Sequence, residues 1–174
     1  MGHSDPEWLK TMGEAAARDF IQIAAIAGYD LSIGELYVEV NPAPHKRTGL
    51  RPCFMAVYSF WRDKEALKVG LASPNDDARF RYHHYSPGTS PSNLARTLKY
   101  RFAELGLSAP PLQYRQWIER ETGRIDFIMP AGWGPPLAKL FEAYLHARWR
   151  PRFEGRAWKG CPDTLPAPDF GQRS

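Results

Sequence analysis

Hydrophobic positions along this chain fall into runs of two kinds. Trp8, Leu9, Met12, Ala16, Phe20, Ile23, Ala24 and Ala27 recur near helical spacing, which predicts a helix over Pro6 to Ala27 that stops at Gly28. Leu36 to Val40 alternates as a short strand ending at Asn41-Pro42. Cys53 to Phe60 is apolar at almost every position, as in a central strand covered on both faces, and Cys53 is expected there as a buried free thiol. The mostly polar stretch Trp61 to Glu65 separates it from a second apolar run that begins at Ala66, so the two read as a hairpin. Pairing Phe60 with Ala66 sets Tyr58 opposite Lys68 on one face, where facing Cβ atoms lie roughly 4.5–5.5 Å apart.

After this hairpin, Ser73-Pro74-Asn75-Asp76-Asp77 has the composition of a helix start, and the helix it opens places Arg79 and His83 four residues apart on one side. Ser90 or Ser92 can cap a further helix running through Leu94, Leu98 and Phe102 to Leu105. Tyr114 to Ile118 reads either as a strand paired through Glu121-Thr122-Gly123 with Ile125 to Met129, the preferred reading, or as a short helix. A Pro-initiated helix follows Pro130 to Pro136, with Leu137, Leu140, Phe141, Tyr144 and Leu145 as its apolar face. Glu142 sits at the edge of that face, with His146 one turn on. The Pro- and Gly-rich end, Pro151 to Ser174, is expected to wrap the surface or be partly disordered, with Trp158 as an anchor.

Composition narrows the picture in two ways. With 174 residues, 43% of them hydrophobic, the chain suits one domain with a real core. Its parts are an N-terminal helix, strand and basic loop (1–52), a central region (53–151) and a tail (152–174). The net charge of +4 permits a polyanionic partner without requiring one. The distribution says more: Arg79, Arg81, Arg96, Lys99 and Arg101 follow one another with no acid between them, and the loop Asn41 to Arg51 carries His45, Lys46, Arg47 and Arg51 without an acid. Each is either a phosphate-tracking surface or a plain solvated one. Cys53 and Cys161 make no metal-ligand spacing, and with no leader-like start and no long apolar span the chain is expected in the cytoplasm, off the membrane.

Tyr58, Lys68, Arg79 and His83 are the residue types that chemistry on phosphate needs: a planar cation for phosphate oxygens, a group that orients or deprotonates water, and an imidazole that gives or takes a proton. Ala56-Val57-Tyr58 and Lys68-Val69-Gly70, ten residues apart, resemble degenerate forms of the two tripeptides that name the GIY-YIG nuclease superfamily. Arg79 stands where that family has its helical arginine, and His83 in its R-x-x-x-H position. The resemblance spans Cys53 to Pro151 and is closest to the branch containing type II restriction endonucleases, where Lys also occurs in the second tripeptide.

The resemblance implies an α+β fold: a small three-stranded antiparallel sheet flanked by helices, with Ile125 to Met129 as third strand and the N-terminal helix and C-terminal tail as additions. It implies a DNA endonuclease, restriction-like or acting in DNA processing, with Tyr58, Lys68, Arg79, His83 and Glu142 as catalytic residues and Glu142 holding Mg²⁺ or Mn²⁺. Water activation falls to Tyr58 or, alternatively, to a neutral Lys68. Lys46, Arg47, Arg51, Arg81, His84, Arg96 and Lys99 are expected to contact nucleic acid, double-stranded DNA first, with His84 as the solvent-facing neighbour of His83. A homodimer is compatible with such an enzyme. The other reading is a catalytically weak nucleic-acid-binding module on the same fold.

Overall fold

The structure is a computed structural model, which describes residues 5–88 and 93–154. Helix α1 (Pro6–Ile26) is capped by Asp5, whose carboxylate accepts the Glu7 N–H at 3.0 Å, and is followed by strand β1 (Tyr37–Asn41). Strands β2 (Phe54–Arg62) and β3 (Glu65–Ala72) form the hairpin. Three short helices come next, α2 (Asp77–Arg81), α3 (Leu94–Arg101) and α4 (Tyr114–Glu121), and then strand β4 (Gly123–Pro130) and helix α5 (Gly134–Trp149).

The fold is α+β, built on one antiparallel sheet of order β1-β4-β2-β3. It has four strands where three were expected, because β1 pairs along β4 from Tyr37–Ile128 to Asn41–Arg124. With β4 and β2 in the middle, side chains on both faces are buried, and each face supports its own core. On one face α1 and α5 bring Leu9, Ala16, Phe20, Phe141 and Leu145 against Met55, Val57, Ile125 and Phe127. On the other, α2, α3 and α4 bring Phe80, Leu94, Leu98 and Ile118 against Tyr58, Phe60 and Leu67. No helix among the described residues is long and apolar enough to cross a membrane.

Several local expectations are corrected. Tyr114 to Glu121 is helix α4 and not a strand: Ile118 is buried, Tyr114 and Trp117 lie against the same core, and these three recur at helical spacing. Asn93, rather than the serines before it, caps α3 by accepting the Arg96 N–H at 3.0 Å; Ser90 and Ser92 lie outside the described residues. Cys53 is exposed and precedes β2, with a positive φ of 63°. The tail from 155 onward, including Cys161 and Trp158, lies outside the described residues. Its first turn does not: Arg152 N–H donates to Ala66 O at 2.9 Å and Phe153 N–H to Leu67 O at 3.2 Å, so Pro151–Glu154 covers the outer edge of β3.

Candidate active site

The hairpin sets the first two side chains. Its turn is the two-residue Asp63-Lys64, both at positive φ (49° and 65°), the form whose twist suits a hairpin. A bulge between Phe60 and Trp61 then shifts the pairing, so that Trp61 faces Ala66, Phe60 faces Lys68 and Tyr58 faces Gly70. The expected pairing of Phe60 with Ala66, and of Tyr58 with Lys68, is therefore wrong by two residues at Tyr58. Both side chains stay on one face as diagonal neighbours, a relation of about 7–8 Å between residues. The glycine has a purpose at its position: a Cβ on Gly70 would lie 2.7 Å from Tyr58 Cζ and 2.8 Å from its Oη, so the phenol ring occupies the space a side chain there would need.

Helix α2 delivers the next group. Asp76 caps it by accepting the Arg79 N–H at 2.9 Å, and the chain leaves helical geometry after Arg81. Past that break the two histidines diverge. His83 turns outward with Arg79 to line a pocket of about 400 Å³ that Asp76, Tyr82, Ser86 and Asn93 complete. Arg79 Nε and His83 Nε2 are buried there without a hydrogen-bond partner among the described residues. His84 turns inward. It is 1% exposed, and its Nε2 lies 2.7 Å from Tyr58 Oη; the expectation of a solvent-facing residue touching nucleic acid is overturned by that burial.

At the outer edge of β3 the two faces of the sheet meet. Lys68, 3% exposed, forms an ion pair with Glu154, whose second oxygen accepts the Val69 N–H at 3.1 Å. His146 of α5 stands 3.8 Å from that same oxygen. Glu142, one turn before His146 and half-buried, feels the charges of His146, Glu154, Arg79 and Lys68. Five side chains expected to act together, from β2, β3, α2 with its following turn, and α5, are thus brought to one neighbourhood. Glu154 is the member that sequence reasoning missed, because a single acid after a helix end has no periodicity or motif to mark it.

Burial governs the electrostatics. It pushes the Tyr58 hydroxyl up, against the opposing pull of the Arg124 and Arg79 guanidiniums, so the phenol is neutral. It pushes the Lys68 amine down, opposed by Glu154. It also lowers His83, helped by Arg79, and raises Glu142, helped by Glu154. Burial thus disfavours the charged form of all three groups, pushing the imidazole and the amine toward their neutral forms and the carboxylate toward its protonated one. Among the described residues no three His, Cys, Asp or Glu side chains form a preformed metal cage. The donor set fits a hard cation held by the one carboxylate of Glu142, waters and substrate oxygens, since a divalent cation would relieve the repulsion between Glu142 and Glu154.

Beneath Tyr58 lies a buried cation. Arg124, 1% exposed, stacks 4.8 Å from the Tyr58 ring and 4.2 Å from that of Phe80, donates to Asp126 Oδ1 at 2.6 Å and to Tyr85 Oη at 3.2 Å. Tyr85 in turn holds the basic loop through His45, which is buried: its Nδ1 donates to Thr122 O at 2.7 Å, and its Nε2 lies 2.8 Å from Tyr85 Oη. Lys46 and Arg51 of that loop are exposed. Arg47 packs 5.0 Å from the Tyr82 ring and pairs with Glu119 at 3.1 Å, while Arg81 lies 5.7 Å from the same ring and pairs with Asp77 at 3.4 Å. Lys99 and Arg96 flank Tyr100 on α3.

The pocket that Arg79 and His83 line is therefore built by α2, the turn after it and the Asn93 cap of α3. Comparison with protein-family models, with curated proteins and with solved structures finds no match to the chain.

Proposed function

We propose that the chain is a GIY-YIG-like endonuclease that hydrolyses a DNA phosphodiester. The observation that carries this reading is that Arg79 Nε and His83 Nε2, whose side chains line one pocket, are both buried and unpartnered among the described residues, with Arg79 near enough to Tyr58, Lys68 and Glu142 for their charges to interact. Unpaired buried donors cost roughly 1–3 kcal/mol each, a cost that an anionic oxygen bound there would offset.

In this mechanism water attacks phosphorus in line, a new P–O bond forms, and the bond to the leaving 3′ oxygen breaks. Arg79 and His83 hold the non-bridging oxygens and take up the charge that develops on them. Tyr58 or Lys68 orients the water, and whichever of the two has first lost its own proton, as a phenolate or as a neutral amine, receives the proton of the water. Mg²⁺ or Mn²⁺ bound at Glu142 would supply Lewis-acid stabilisation of the phosphate and the departing oxygen. Lys46, Arg51, Arg81 and Lys99 track the backbone of double-stranded DNA beyond the scissile phosphate.

The test is cleavage of supercoiled plasmid with Mg²⁺, with EDTA as control. Arg79→Ala and Glu142→Ala are expected to lower the rate by at least about 100-fold with an unchanged circular dichroism spectrum. Undiminished cleavage by either variant removes that residue from the mechanism. A second reading, the catalytically weak nucleic-acid-binding module, is favoured by two features: Tyr58 is fully buried, and the amine of Lys68 is engaged by Glu154. Wild-type protein that retards DNA in a salt-dependent gel shift and never cuts it belongs to that reading.

A further inference from the structure

We infer that His84 is a positioning residue, locked as the tautomer that carries its proton on Nε2, and that it donates to Tyr58 Oη so that Tyr58 serves as a hydrogen-bond donor and not as the general base. The role assigned to Tyr58 rests on the nuclease reading; the tautomer does not.

The argument starts at the first residue of α3. Leu94 N–H is one of the amides that a helix leaves without an internal partner, and it donates to His84 Nδ1 at 3.2 Å. An amide nitrogen can only donate, so Nδ1 must present a lone pair. The next amide, Ala95 N–H, donates to the carbonyl of His84 itself at 3.0 Å, which fixes the residue from a second side. A proton on Nδ1 would face the Leu94 hydrogen, and a doubly protonated ring is further disfavoured by burial and by the charges of Lys68, His83, Arg124 and Arg79 around it. The neutral ring that remains has its hydrogen on Nε2, and Nε2 lies 2.7 Å from Tyr58 Oη.

The consequence for Tyr58 follows from counting protons. His84 has no free lone pair facing the phenol, so it cannot take the phenolic proton. Tyr58 Oη accepts from His84 and lies under the pull of Arg79, and its own O–H is left to donate elsewhere. A group in that state steadies the attacking water or a phosphate oxygen. Of the two candidates, Lys68 is left to accept the proton released by water, which it can do once its own proton has passed to Glu154, the partner in its ion pair.

The experiment uses the full chain with ¹⁵N-labelled histidine and long-range ¹H–¹⁵N correlation spectra, with His84 assigned by the signals that disappear in His84→Gln. The expected result is an unprotonated Nδ1 and a protonated Nε2, unchanged from about pH 5 to about pH 9. A protonated Nδ1, or a ring that becomes imidazolium in that interval, overturns the inference. In cleavage, His84→Gln retains an N–H near the Nε2 position and is expected within about tenfold of wild type, while His84→Leu falls with Tyr58→Phe. Tyr58→Phe is expected to be slower with the pH–rate limb of the base retained; loss of that limb identifies Tyr58 as the base and overturns its assignment as donor. Because the spectra need no turnover, a wild type that never cuts DNA sinks the nuclease reading alone and is distinguishable from a failed tautomer.

Discussion

His45 and His84 are both buried neutral imidazoles, yet they present opposite faces. A carbonyl at Nδ1 makes His45 a donor there and an acceptor at Nε2, whereas an amide at Nδ1 makes His84 a donor at Nε2. Burial lowers His45 to about 4. In the unfolded chain it would titrate near its ordinary value of about 6.5. Between these two values the unfolded state binds more protons, so this contribution to stability is complete above about pH 6.5 and is lost as pH falls toward 4. The expected loss is about 3 kcal/mol at about 1.4 kcal/mol per unit, read from urea midpoints across that range; His45→Gln should flatten the slope. Such residues show how far the sequence could be read. Motif order singled out Tyr58, Lys68, Arg79 and Glu142, but which of two adjacent histidines enters the core depends on where α2 ends, and nothing in His83-His84 itself marks that.

At the scale of elements, the strands were legible and their register was not. An apolar run reports burial on both faces regardless of what lies opposite, so the two-residue turn and the bulge at Phe60/Trp61 left no trace in the pattern of the hairpin. Helix α4 is the converse case: β-favouring Tyr, Trp and Ile suggested a strand, while the spacing of Tyr114, Trp117 and Ile118 carried the helical answer, with Arg115 and Glu119 pairing at 2.9 Å one turn apart. Pro151 onward was expected to wrap the surface or be partly disordered, and segment 151–154 does the first: it closes the β3 edge and brings Glu154 to Lys68. Glu154→Ala should therefore leave a buried ammonium alone and lower unfolding stability by about 3 kcal/mol. The double variant Lys68→Met, Glu154→Leu should recover much of that loss. Chemical denaturation of the two decides it, and a single variant as stable as wild type would show that the pair holds nothing.

For the whole molecule, what the expected sheet lacked was a partner for its first strand. The strand at Leu36 to Val40 was visible, but its pairing with β4 joins residues about half the chain apart and no local signal records it. The same long-range closure lets His45 hold the basic loop against the α4–β4 junction, a short distance in the buried network from Arg124 and Tyr58. Lys46→Ala and Arg51→Ala, both at exposed positions, are expected to weaken DNA binding equally for all sequences. Each should also reduce the dependence of log affinity on log salt by about one. Titrations at several salt concentrations measure it, and slopes equal to wild type would take the loop off the DNA.

The slot over Gly70 links the two halves of the hairpin in descent as well as in space. A phenol on β2 forbids a side chain at residue 70, and a side chain there forbids the phenol, so residue 70 can change only after residue 58 has. A lineage that had first surrendered its tyrosine would be free to fill residue 70, and a return to the phenol would then need both codons to revert.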